Sequence, residues 1–432
     1  MQPKHGFAIA ILMLLLLTPA WPLVGMTEPF VSEGEFLHSE GENGSQTNSQ
    51  VVYGSEQYLA VWQEMPRRST TINEIRAARL KPDGQNLDAG GFRVAARPSY
   101  FAMARPIFDG EQYYLAWIEY PRENLADDPG VIYGARVDPH GRVLEPGGRI
   151  LDGSRIRKDL PDLAFGDHGG LLVWRQGGNQ IIARRLDPRA GTFDERQIIV
   201  FEGKNAMSPH VAHTAGVFLV VWERWSGSAE TEGLYAARVD TTGTVLDVPA
   251  IQLAKKLGHG RNALLAADAK GFLVIWENGW ESTENGVKGI SLQGAKVGVD
   301  GRVTELDSLS IAGGSIFKTL ADVAFDGTNY LIAWWEVQPF SDSASKPFPP
   351  SPFIVPEKKE MRAARVSPTG RILEGHGFTI RPETEPIVFR VDRESLACDG
   401  RSRCLVTYTD FDHRLHIKKF RISRRVIDLR DR

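Results

Sequence analysis

Apolar positions along the chain gather into short solid runs, YLAVW at 58–62, FLVVW at 218–222, FLVIW at 272–276 and CLVTY at 404–408, each ending on a large ring. Runs of four or five residues, rich in β-branched and aromatic types, are the pattern of a strand buried on both faces. The run occurs seven times, from Tyr58 to Trp62, Tyr113 to Trp117, Gly170 to Trp174, Phe218 to Trp222, Phe272 to Trp276, Tyr330 to Trp334 and Cys404 to Tyr408. We call it strand B. Upstream of it, segments such as DLAFGD, DVAFDG and SLACDG read as a strand A ending in a tight Gly-containing turn.

Downstream, after a variable loop, IRAARLKPDG, IYGARVDPHG, LYAARVDTTG, LQGAKVGVDG and MRAARVSPTG read as a strand C running into a Gly turn. One column of this strand always carries a cation: Arg79, Arg136, Arg185, Arg238, Lys296, Arg365 and Lys419. A short apolar strand D follows at Phe92 to Val94, Ile150 to Leu151, Ile198 to Val200, Ile251 to Leu253, Leu309 to Ile311 and Phe378 to Ile380.

The spacing of the rings is on the order of 50 residues, that of propeller blades with lengthened loops. Four antiparallel strands make one blade, and a lone blade leaves both apolar faces wet, so seven must stack radially until the first covers the last. The prediction is an all-β, single seven-bladed β-propeller over residues 26–432. After strand C of the last repeat too little chain remains for a strand D. The segment Glu35, Phe36 and Leu37 is the spare strand, and it is expected to complete the last blade and close the seam.

Ahead of the repeats, Lys4, the apolar run Phe7 to Leu17 and the small-residue exit Thr18, Pro19, Ala20 have the order of a signal peptide, residues 1–25. An uncleaved N-terminal anchor is the alternative, and only that would attach the chain to a membrane. The expected location is secreted or periplasmic. Cys398 ends strand A and Cys404 starts strand B of the last repeat, so a disulfide across that hairpin is expected in an oxidising compartment.

With 51 Lys+Arg against 54 Asp+Glu, a net charge of -3 supplies no field to gather nucleic acid. The repeats resemble those of bacterial secreted β-propeller proteins with YLVVW and ARV-DG blades, over roughly residues 35–423, a family largely without assigned activities. The resemblance implies the fold and no chemistry. The sialidase Asp-box, the WD dipeptide and acidic calcium loops are missing from the repeats.

Repetition sorts the candidate residues, because a type found in every blade answers a need of every blade. The Trp column and the cation column read as structural. The acids trailing strand B, Glu64, Glu119, Glu223, Glu277, Glu336 and Asp410, could pair for glycoside hydrolysis, but their recurrence favours a structural role. No residue is assigned as catalytic.

Variation marks the opposite kind of position. The B to C loops differ in every blade and emerge on one face, with Tyr120, Trp225 and Trp280 as aromatics suited to a sugar or peptide. The same face carries the start of strand A, expected to line the channel: Gln50, Arg105, Asp162, His210, Leu264, Asp322 and Ser395. A mostly polar, non-repeating column suits one asymmetric ligand. Its polar members are the predicted channel-mouth binding residues. His210, Asp162 and Asp322 carry donors that a metal could use if they converged on the axis; no metal and no cofactor is predicted. The Pro-rich insertion 338–360 favours an extended path. The expected function is a monomeric, exported module binding an unknown protein or glycan; the alternatives are a polysaccharide hydrolase or lyase, or an envelope protein without ligand.

Overall fold

The computed structural model describes residues 29–37, 44–65, 73–97, 100–120, 128–166, 168–187, 192–194, 196–225, 232–255, 262–278, 282–283, 286–287, 290–305, 317–338, 358–384, 394–412 and 419–430. The signal segment, Trp280 and most of the Pro-rich insertion lie outside them. No helix occurs among the described residues, and none there is long and apolar enough to cross a membrane.

Seven antiparallel sheets follow one another along the chain. Blade 1 comprises Ser45–Gly54, Gln57–Met65, Asn73–Leu80 and Phe92–Arg97, in the order A, B, C, D from the axis outward. The next four blades begin at Tyr100, Lys158, Ala206 and Leu264 and repeat the order. Blade 6 comprises Phe317–Phe325, Tyr330–Gln338, Lys358–Val366 and Phe378–Thr384, and blade 7 begins with Ser395–Cys398, Arg403–Asp412 and Lys419–Asp428. Each strand A touches the strand A on either side, and that of blade 7 touches that of blade 1. The ring is closed.

Each apolar cluster lies between two blades and none within one. Leu59, Val61, Ile75 and Ala77 of blade 1 pack on Tyr113, Leu115 and Trp117 of blade 2. At the seam, Val51, Tyr58 and Ala60 of blade 1 pack on Leu405 and Ile422 of blade 7. The solid runs of strand B follow from this arrangement: Tyr113–Tyr120 is buried at every position because both faces meet a neighbour. A glycine in the C to D turn makes room for the ring. A Cβ on Gly91 or Gly377, both at positive φ, would stand 2.5 Å from Trp62 or Trp334.

The N-terminal segment completes blade 7 as expected, in two pieces. Phe30 and Val31 pair with Asp428 and Ile427, and Glu35 and Phe36 pair with Arg424 and Ser423. Leu37 N–H then donates to Ile422 O at 2.9 Å and its side chain is buried in the seam. The Cys398–Cys404 disulfide joins directly paired residues, with Cα atoms 4.0 Å apart.

In blade 5 the described outer strand is Val303–Glu305; Leu309 to Ile311 lie outside the described residues. The expectation for the polar column needs correction: it does not begin strand A in most blades. Gln50, Arg105, Asp162, His210 and Asp322 sit inside it, each directly after a break in register with strand B; Leu264 and Ser395 are first residues.

The cation column is structural and runs through six blades only: in blade 7 its register position is Val426, and Lys419 pairs with Asp412 at the far end of the strand. Arg79, Arg136, Arg238 and Arg365 each bind the carboxylate nine residues on, Asp88, Glu145, Asp247 and Glu374. Arg79, Arg238 and Arg365 also donate to a carbonyl of the next blade, Pro139, Val299 and Leu429. Lys296 instead binds Asp268 at 2.8 Å and the Tyr330 hydroxyl. The face of A to B and C to D turns is thereby stapled blade to blade.

Candidate functional site: the axial polar cluster

The break in strand A decides where the column points. An extra residue in one strand of a pair bends it and re-aims the side chain that follows. Two residues before the column, Asn48, Leu160, Ser208 and Asn262 all have positive φ. A branched residue such as Leu160 pays a steric penalty there, and strain that recurs in one register position is held in place by its surroundings.

The re-aimed side chains meet. Arg105 Nη1 donates to Gln50 Oε1 at 2.6 Å, and its Nε stands 3.7 Å from Asp162 Oδ1. Asp162 Oδ2 lies 3.0 Å from His210 Nδ1 and accepts the N–H of Val211 at 3.2 Å. Since an ionised carboxylate only accepts, Nδ1 of His210 carries the proton. Across the ring, Asp322 Oδ2 accepts the N–H of Leu396 and Oδ1 that of Val323, both at 2.8 Å. Ser395 hydrogen-bonds Asp322 and accepts the N–H of Val51 at 3.1 Å.

A rule runs through these contacts. In blades 3, 6 and 7 the column side chain accepts the backbone N–H that follows the column residue of the next blade. Each such bond ties two blades at the axis, and that from Ser395 to Val51 crosses the seam.

The electrostatics divide the two carboxylates. Burial opposes charge on Asp162, but Arg105, His210 and the Val211 N–H outweigh it and hold its carboxyl below the usual range. Burial wins at Asp322, whose carboxyl is pushed up to about 6 despite the N–H groups of Leu396 and Val323 and the charge of Arg105. One cation therefore acts on carboxylates of two distant blades, 3 and 6. The groups converge on the axis.

Of the loop aromatics, Trp225 directly follows strand B of blade 4 and is 48% exposed. Tyr120 is corrected: it ends strand B of blade 2, is 7% exposed, and donates to Lys158 O or Asp159 Oδ1, both 3.1 Å away. It is a pin in the wall and no loop residue. Trp280 lies outside the described residues.

The acids trailing strand B are all engaged, in two registers. Glu64, Glu119 and Glu336 stand two residues after the ring, on its face of the strand, and accept Trp62, Trp117 and Trp334 Nε1. Glu223 and Glu277 stand one residue after it, on the opposite face. Glu223 accepts the N–H groups of Asn262 and Ala263, and Glu277 that of Leu320, in the next blade. In those two blades Trp222 and Trp276 Nε1 have no partner. Asp410 accepts Arg381 Nη2 at 2.8 Å.

Sequence reasoning missed Lys158, fully buried beside Asp152 at 3.2 Å and donating to the carbonyls of Ser154 and Ile156. A lysine at the head of an apolar strand was the available signal. Among the described residues no group of three His, Cys, Asp or Glu side chains is placed to hold a metal.

No protein-family model matches the chain, and no curated protein matches it. Among solved structures, it is similar to a protein of unknown function from Dyadobacter fermentans, at 10% identity over 93% of this chain and 99% of that one, TM-score 0.44. It is also similar to a GH43 endo-arabinanase from Bacillus licheniformis, at 12% identity over 62% and 99%, TM-score 0.35, and to a xylan beta-1,4-xylosidase from Bacillus halodurans, at 9% over 90% and 96%, TM-score 0.38. Likeness at this level carries no chemistry to this chain.

Proposed function

We propose that the protein is an exported, monomeric binding module whose protein or glycan ligand meets the face where strands A begin and strands B end. The observation that carries this reading is the axial cluster. In a fold that repeats its packing residues, this column differs in nearly every blade, and Gln50, Arg105, Asp162, His210, Asp322 and Ser395 are held rigid by bonds among themselves and to neighbouring blades. A preformed polar floor with a few convergent groups is what an asymmetric ligand needs. Arg105 and Asp162 keep 17% and 15% of their side-chain surface open. Trp225, directly after strand B of blade 4, stands on the same face, and the variable loops with Trp280 are offered as further contacts.

Export is supported by the Lys4 to Ala20 pattern and by a disulfide suited to an oxidising compartment. Hydrolysis is the second reading, and one observation favours it: two axial carboxyls pushed apart in acidity, as an acid and base pair requires.

A glycan and peptide array, repeated with Arg105→Gln and Trp225→Ala, tests the binding reading. Wild type should retain one ligand class, weakened about tenfold or more by loss of the charged hydrogen bond. No retained ligand, or equal retention by both variants, rules it out. Release of sugar from a retained glycan, abolished in Asp322→Asn, would replace it with hydrolysis.

A further inference from the structure

Blade 7 breaks the repeat at one buried position. Opposite the second residue after the strand B ring, strand C carries Glu74, Val131, Gln180, Gly233, Ser291 and Glu360 in the first six blades, and Arg421 in the seventh. Arg421 is 2% exposed, yet its Nε and Nη1 have no hydrogen-bond partner. No other described side chain has two such atoms.

Alternation along the strand fixes where it faces. Ile422 belongs to the seam with blade 1, whereas Ile427 and the paired ring Tyr408 belong to the interface with blade 6. Pairing with strand B runs without a shift, so Arg421 shares the blade 6 side with Tyr408. The carboxylate directly across from it, Asp410, is turned to Arg381 of blade 6.

Trp335, also in this interface, is 3% exposed with its Nε1 unpartnered. It meets Tyr408 edge-on at 6.3 Å, and Lys359 Nζ lies 3.5 Å over its ring. Arg381 Cζ is 5.7 Å from both rings. Arg425 Nε donates to the Tyr408 hydroxyl. The interface thus concentrates cations and spare N–H donors around two aromatic walls.

From this we infer that the interface of blades 6 and 7 is a binding site for a small oxyanion, a carboxylate, sulfate or phosphate group, seated on Arg421. A buried guanidinium with two of its three nitrogens unbonded is costly for a fold to hold, and a neutral ligand would leave its charge uncompensated. An oxyanion supplies both the charge and several lone pairs, through strong charge-assisted bonds. Arg421 lies two residues inside the strand end at Lys419, next to the face of the variable loops, which gives a short path in. The site does not depend on the axial cluster.

The test uses the purified full-length protein, titrated calorimetrically and by thermal melting with sodium acetate, glucuronate, sulfate and phosphate at constant ionic strength, with chloride as the control. The expected result is a saturable rise in melting temperature with at least one oxyanion, the arms identifying which. Arg421→Met should weaken that binding about tenfold to a hundredfold and, without anion, melt no lower than wild type. Asp410→Asn, which frees Arg381, should tighten it, and Arg105→Gln should leave it unchanged. The inference is overturned if wild type binds none of the four, if Arg421→Met binds equally, or if Arg421→Met melts well below wild type or does not fold, since Arg421 would then have a structural partner. An adventitious, unsaturable salt effect equal in wild type and Arg421→Met overturns it as well.

Discussion

The difference between Asp162 and Asp322 makes a prediction about pH. A carboxyl raised in the folded state contributes stability that is fully present below its ordinary value of 3.8 and lost as pH rises through about 6. Asp162, lowered, works the other way: its contribution is present above 3.8 and lost as pH falls through its depressed value. Asp322→Asn should remove the decline between about pH 4 and 6, a relative gain on the order of 3 kcal/mol at pH 7. Urea unfolding of variant and wild type at matched pH values measures it; parallel curves across that window would show that Asp322 is not buried at such cost. The identity of these residues was legible from their column, because a non-repeating polar position in a repeating strand stands out. Their mutual bonds were not, since convergence depends on a backbone break at Asn48, Leu160 and Ser208, and of those residue types only Asn favours a positive φ. Tyr120 failed for a related reason: one extra strand residue moves a ring from a loop to a wall.

At the scale of elements, the blades are simple because each strand has one job. Strand B is buried on both faces up to its ring and ends on a paired acid in most blades, strand C alternates core residues with a cation that staples the turn face, and strand A turns its polar column to the axis. The latch is the exception, an outer strand borrowed from the far end of the chain. Without residues 29–37 the outer edge of Lys419–Asp428 has no partner strand, Leu37 leaves the seam, and Arg424 loses its 2.6 Å contact with Glu35. An open strand edge beside an uncovered apolar seam is a template for association. A chain starting at residue 38 should therefore melt lower and form dimers or larger species by light scattering. A monomer with an unchanged melting temperature would mean that the latch contributes nothing to closure. The latch was legible in the sequence from a strand missing at one end and spare at the other. Its split into two short pairings was not, because the Ser32 to Gly34 stretch between them carries no turn signal beyond one glycine.

For the whole molecule, the placement of the core between blades, and never within one, decides how the fold can fail. Removing any blade exposes two apolar interfaces at once, so no single repeat can open at low cost, in contrast to the end of a linear array. Each ring residue contributes to this, and truncating Trp62 or Trp334 to Ala should cost about 3 to 5 kcal/mol wherever it sits. Unfolding of the closed ring should accordingly be one transition, with tryptophan fluorescence and far-ultraviolet circular dichroism coinciding along a urea gradient, in wild type and in both variants. The latch-deleted chain has a free end, and there the two signals should separate as blades are lost from the seam inward. Coincidence in the closed ring and separation in the opened one would together show that cooperativity comes from closure. Separation already present in the intact protein would mean that the blades are independent enough to unfold singly, and that the axial bonds from Asp162, Asp322 and Ser395 to the next blade serve the site more than the scaffold.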